Sequence, residues 1–196
     1  HELRRQHIHL RLTQRADQVL DGIDLAKEAG ISVLNLHLAK GNIVTLPDGK
    51  HYLFERFPEV YEGALRDFRD ACTEAIGDAP VRIAMENTFG WEAYERRGLD
   101  LLLESPVFGL TLDIGHDDEC GNQDLPYFLE RADRLVHMHA HDGSGTRNHW
   151  ALGAGSIPVQ ERLALAEEQA ATVVLETKTI AALRESVGYL KRHGLV

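Results

Sequence analysis

Residues 108–113 read Phe-Gly-Leu-Thr-Leu-Asp, a short apolar run closed by a carboxylate. Four other runs share the design. Ile31-Ser32-Val33-Leu34-Asn35-Leu36 ends on His37, and Val81 to Met85 is followed by Glu86 and Asn87. Leu135-Val136-His137-Met138 ends on His139, and Thr172-Val173-Val174-Leu175 ends on Glu176. Runs this short and this rich in β-branched residues read as strands. Longer stretches with helical spacing separate them. Thr13 is placed to cap a helix reaching about Ala29, with Ala16, Val19, Leu20, Ile23 and Ala26 on one stripe and Gly30 as its stop. A second helix starts near Pro58 and turns Val60, Tyr61, Ala64, Leu65, Phe68, Cys72 and Ile76 inward. Shorter helices are expected around Leu99–Leu103, Leu125–Arg131, Val159–Gln169 and Ala181–Arg192. A polar loop should follow His37, and a long glycine-rich loop should run from Asp142 to Ile157.

Strands alternating with helices predict repeated βα units in one α/β domain over residues 1–196. Parallel strands joined this way wind right-handed and bury both faces. Five units suit either an open doubly wound sheet or part of an eight-stranded barrel. No strand is followed by the glycine fingerprint that cradles a dinucleotide phosphate. The strand ends favour the barrel. His37, Glu86, Asp113, His139 and Glu176 each close a strand, and a barrel gathers all such ends at one mouth. Carboxylate oxygens and imidazole nitrogens without thiolates suit Mn²⁺, Co²⁺, Zn²⁺ or Mg²⁺ rather than a structural zinc knuckle.

Composition narrows the function. The net charge is −10, and Lys and Arg occur in pairs such as Arg4-Arg5 and Arg96-Arg97 rather than in clusters. A phosphate-gripping nucleic-acid binder would carry a basic face, so nucleic acid is an unlikely partner. No run of eighteen apolar residues predicts a membrane span. Cys72 and Cys120 show no paired spacing, which fits a reducing cytoplasm. A homo-oligomer is compatible with this sequence. Trp91 and Trp150 fall in mouth loops, where they either cover a sugar face or pack. His7, His9, His51, His137, His141 and His193 are expected at the surface or in loops.

Several short stretches together resemble the xylose-isomerase-like barrel superfamily, which holds sugar isomerases, ketose 3-epimerases, inositol-catabolism enzymes and endonuclease IV. They are Glu86-Asn87, Asp113-Ile114-Gly115-His116, His139-Ala140-His141-Asp142, His149-Trp150-Ala151-Leu152-Gly153-Ala154-Gly155 and Leu175-Glu176. The resemblance implies a (β/α)8 TIM barrel of which this chain supplies strands four to eight, with three strands preceding it. It implies one divalent ion held by Glu86, Asp113, His139 and Glu176. His116, Arg147, His37 and Trp150 would bind substrate. His37, His116 and His149 match positions that serve additional metal ions in endonuclease IV, whereas Arg147 stands where that enzyme has an aspartate.

Two activities follow from the resemblance. The first is isomerisation or epimerisation of a sugar or sugar phosphate by enediolate proton transfer, with Glu86 and Glu176 as the proton-moving pair. The second is cleavage of abasic DNA in the manner of endonuclease IV.

Overall fold

The structure, a computed structural model, describes residues 2–196, with side chains described from residue 16 onward. In chain order the elements are α1 (Glu2–Ala29), β1 (Val33–His37), β2 (Ile43–Leu46), β3 (Gly49–Tyr52), α2 (Leu53–Arg56) and α3 (Pro58–Ile76). Then come β4 (Arg82–Glu86), α4 (Ala93–Leu103), β5 (Phe108–Asp113), α5 (Ile114–Glu119), α6 (Leu125–Glu130) and β6 (Leu135–Ala140). The chain ends with β7 (Asp142–Ser144), β8 (Arg147–Trp150), α7 (Val159–Glu168), β9 (Thr172–Leu175) and α8 (Ile180–Arg192). The five expected strands form one sheet in the order β1-β4-β5-β6-β9. Strands and helices alternate as in an α/β protein. No described helix is long and apolar enough to cross a membrane.

Two compact units divide the chain: residues up to Ile83 with Glu92–Phe108, and Ala84–Trp91 with Gly109–Val196. In the first, α1 buries Ile23 and Ala26 and stops where Gly30 adopts φ +69°. Helix α3 begins with Pro58 in its first turn and buries Tyr61, Leu65, Cys72 and Ile76. That spacing is one face of a 3.6-residue period. Helix α4 fits against this face because residue 98 is glycine: a Cβ there would fall 2.6 Å from Leu65 Cδ1. Two backbone bonds begin the sheet, Arg82 N–H to Ser32 O at 2.8 Å and Ile83 N–H to Val107 O at 2.8 Å.

In the second unit β5, β6 and β9 run parallel, with Asp113 opposite His139 and His139 opposite Val174. Strand β5 is buried along its whole length, as a central strand covered on both faces requires. The register brings residues near the three strand ends to one level.

Four local expectations are corrected. The segment after His37 is not a plain polar loop, because β2 and β3 form an antiparallel hairpin with Leu46 opposite Gly49. The Ile-Val-Thr-Leu run carries strand propensity, and Gly49 takes φ +136° beyond the turn. The glycine-rich loop likewise contains the β7–β8 hairpin. Helix α4 starts at Ala93, earlier than the apolar spacing alone gives, because Glu92 and Glu95 form a reciprocal capping box. Helix α1 runs from Glu2, so Thr13 lies inside it, although the side chains of Thr13, His7 and His9 lie outside the described residues.

Candidate metal centre

Glu86 is the last residue of β4, Asp113 the last of β5, His139 the next-to-last of β6, and Glu176 follows β9. One donor atom from each lies within 4.8 Å of the others. Glu86 and Asp113 are 2% and 0% exposed, so two carboxylates sit where water cannot solvate them freely. His139 Nδ1 is 3.0 Å from Glu176 Oε2, 3.2 Å from Glu86 Oε1 and 3.7 Å from Asp113 Oδ2. Despite these short separations, His139 Nδ1, Asp113 Oδ2 and Glu176 Oε2 have no aligned hydrogen bond. Lone pairs that approach one another without pairing aim at a common point. Donors about 2.1 Å from one ion would stand about 3.4 Å apart in a tetrahedron, close to the observed spacings.

The electrostatics agree. Burial lowers the His139 pKa, but the Asp113 and Glu86 carboxylates outweigh it and, with Glu176, push it up to about 10. Burial works to raise Asp113. The imidazoles of His139, His141 and His116 overcome that and hold the carboxyl well below the usual carboxylate range. Three carboxylates around one imidazole call for positive charge, and a divalent ion fits the donor set.

The backbone fixes these groups. Asn87 is 1% exposed, and its Nδ2 donates to Asp113 O at 3.0 Å while its Oδ1 accepts from Asp113 N–H at 2.8 Å. This reciprocal pair ties the end of β4 to the end of β5. Asp113 also caps α5: Gly115 N–H and His116 N–H donate to Oδ1 at 2.9 and 2.8 Å. One oxygen is committed to the cap, and Oδ2 is left facing the cluster.

A second group joins His116, His141 and His149. The His141 and His149 rings stack 4.2 Å apart at 29°, and His116 stands edge-on to both at 5.9 and 5.8 Å. His116 Nδ1 is 3.4 Å from Asp113 Oδ2 and 3.7 Å from Glu86 Oε1. His149 Nδ1 lies 3.2 Å from Glu176 O. Burial lowers the His149 pKa and nearby His141 adds to that. His37 ends β1 in the other unit and is exposed.

Arg147, His149, Trp150 and Lys178 line a cleft of about 660 Å³ together with Thr179 and Glu185. Trp91 instead packs inward, stacked on Phe128 at 5.2 Å and edge-on to Tyr127 at 5.5 Å.

The sequence reading missed the part played by three residues. His137 is buried within β6 rather than at the surface or in a loop, and His141, in the loop after β6, is buried as well. His137 lies two residues before His139 and so projects to the same face of β6, where its Nδ1 meets Thr172 Oγ1 at 2.6 Å. The i, i+2 spacing of three histidines was the available signal. Asp142 is 1% exposed and organises the following loop: Gly143 N–H and Ile157 N–H donate to Oδ1 at 2.8 and 3.1 Å, and Gly153 N–H donates to Oδ2 at 2.9 Å.

A family model described as the xylose isomerase-like TIM barrel matches residues 8–193. The chain belongs to that family. Among solved structures, a D-tagatose 3-epimerase-like protein is 22% identical with TM-score 0.72, over 92% of this chain and 68% of that one. The IOLI protein with a bound zinc atom is 14% identical with TM-score 0.63, over 91% of this chain and 67% of that one. D-allulose 3-epimerase from Methylomonas sp., in complex with D-allulose, is 17% identical with TM-score 0.60, over 92% and 69%. At these identities the likeness is one of fold. An uncharacterized protein of Methanocaldococcus jannaschii is 31% identical over 80 residues, a stretch covering 39% of this chain and 31% of that protein.

Proposed function

We propose that this protein is a divalent-metal-dependent isomerase or epimerase of a small sugar or sugar phosphate. The observation that carries the reading is the convergence of three carboxylates on an imidazole nitrogen, with His139 Nδ1, Asp113 Oδ2 and Glu176 Oε2 left without aligned hydrogen bonds. Glu86, Asp113, His139 and Glu176 would hold one Mn²⁺, Co²⁺, Zn²⁺ or Mg²⁺. Such an ion, when bound, supplies positive charge beside adjacent carbonyl and hydroxyl oxygens.

The chain's own groups account for the remaining chemistry. Glu86 and Glu176 move the proton: one carboxylate accepts it from the carbon next to the carbonyl, and the other returns one. His116 orients substrate oxygens. Arg147 and Trp150, on the wall of the cleft, hold the polar end and the face of the sugar. Two of the structural relatives carry epimerase names, one with D-allulose bound, and a third carries zinc. The same reading makes the five-strand sheet strands four to eight of a (β/α)8 barrel.

Metal analysis of the full-length protein tests this. One divalent ion per chain is expected, lost in an Asp113→Ala/His139→Ala double variant. Three ions per chain, or undiminished metal in that variant, would refute it. Phosphodiester cleavage of abasic DNA is the second reading, favoured by the imidazole cluster. The cationic Arg147 and the net charge of −10 oppose it.

A further inference from the structure

His141 lies one residue beyond β6 and is 0% exposed. Its ring is engaged at both edges. His149 N–H donates to Nδ1 at 2.9 Å. Nδ1 also lies 3.5 Å from Asp142 O, but the His149 amide is the nearer partner, and it leaves Nε2 as the edge turned to Asp113. That nitrogen stands 2.9 Å from Asp113 Oδ1, close enough for attraction though not aligned as an ideal hydrogen bond.

The surroundings are shaped to this ring. A Cβ on Gly115 would fall 1.8 Å from His141 Cε1 and 2.3 Å from Nδ1, so the second residue of α5 must be bare for the imidazole to lie there. His149, stacked on the ring, has φ +59°, a conformation uncommon for a non-glycine residue. The bond from its amide to His141 restrains it there. One buried side chain therefore joins the carboxylate of Asp113 to the loop strand that carries Arg147, His149 and Trp150.

We propose that His141 is a positioning residue: it fixes the Asp113 carboxylate so that Oδ2 faces the donor cluster, and anchors β8 to that carboxylate. With the cap amides of Gly115 and His116 and the His141 ring all gathered at Oδ1, the side chain has little freedom to turn Oδ2 away. The effect on metal affinity rests on the proposed metal reading; the ring geometry does not.

The test uses three variants of the full-length protein with Co²⁺ as the probe. In His141→Asn, the amide oxygen can still accept from His149 N–H but the side chain is too short to reach Asp113. In His141→Gln, the amide N–H reaches Asp113. His141→Phe fills the space and makes neither contact. Partners that orient metal ligands typically contribute about 10–100-fold in affinity. His141→Phe and His141→Asn should therefore weaken Co²⁺ binding by about that factor. His141→Gln should stay near wild type, with an unchanged Co²⁺ absorption spectrum.

The two amide variants each keep one of the two contacts, so their comparison sets the Asp113 contact against the His149 contact even if the Phe variant fails to fold. Equal Co²⁺ affinity in the Asn and Gln variants would overturn the proposal. So would an altered spectrum in the Gln variant, which would make His141 itself a ligand. Wild-type protein that bound no Co²⁺ would remove the metal reading alone; equal urea stability of the wild-type, Asn and Gln proteins would then overturn the anchoring role of His141.

Discussion

Replacing Asp142 with alanine removes one buried carboxylate and strands the buried amides of Gly143 and Ile157 and the part-buried amide of Gly153. Gly143, Gly153 and Ile157 all donate to it at 2.8–3.1 Å, and the side chain is 1% exposed. Each stranded donor costs about 1–3 kcal/mol. Full additivity would give about 3–9 kcal/mol, but a loop that relaxes lets water reach some of the amides, so about 3–5 kcal/mol is expected. For a chain of this size that is a fall in Tm of roughly 6–20 °C. Asp142→Asn should cost less, about 1.5–3 kcal/mol, because an amide oxygen can still serve Gly143 and Ile157 while the NH2 faces the Gly153 donor. Gly155→Ala should resemble the alanine variant, since its Cβ would fall 2.4 Å from Asp142 Oδ1 and 2.1 Å from Gly143 O. Urea denaturation gives the free energies, and limited proteolysis reports whether residues 143–157 become the first cleavage site. A loss below about 0.5 kcal/mol for Asp142→Ala, the range of an ordinary surface change, would refute the role assigned to this carboxylate.

Asp117 should make stability depend on pH. Burial, against the Asp124 amide that donates to it and with the Asp124 charge beside it, pushes its pKa from 3.8 up to about 6. The folded state therefore binds this proton more tightly than the unfolded chain. The contribution is fully present below about 3.8 and lost as pH rises through about 6, a swing of about 3 kcal/mol. Asp117→Asn should gain by that amount relative to wild type between pH 4 and pH 8, and a flat difference curve from paired denaturant melts would refute it. Glu86→Gln and Glu176→Gln should each cut turnover by roughly 10²- to 10⁴-fold while retaining most of the metal. Turnover in D₂O should place deuterium next to the carbonyl, and unlabelled product would favour a hydride shift and reduce both glutamates to ligands. Purified protein should not nick an abasic-site duplex efficiently, and robust metal-dependent nicking would move the assignment to the phosphodiesterase reading.

The sequence by itself determined the strands and what stands at their ends. Apolar runs such as Phe108–Leu112 depend on local β-propensity and burial, and a polar residue closes each run. That is why His37, Glu86, Asp113, His139 and Glu176 could be named as strand ends without coordinates, while the choice of four of them as ligands came from the family resemblance. Hairpins were less legible: Ile43–Tyr52 alternates weakly, and pairing with a partner strand, not local pattern, decides that it is β structure. The capping box of Glu92 and Glu95 was readable in principle but was masked by the apolar spacing further along α4.

What only the tertiary structure decided is which polar groups meet. His141 and His149 are eight residues apart in a glycine-rich loop, and Gly115 comes from another element. Their fit depends on a Cβ that is absent and a ring that fills the space. Asp142 is one more acidic residue in the sequence, and it becomes the organiser of a loop because amides from residues 143, 153 and 157 turn toward it. Propensity and periodicity act along the chain and can be read there. Hydrogen-bond satisfaction and close packing act between distant segments, so they become visible only when the segments are brought together.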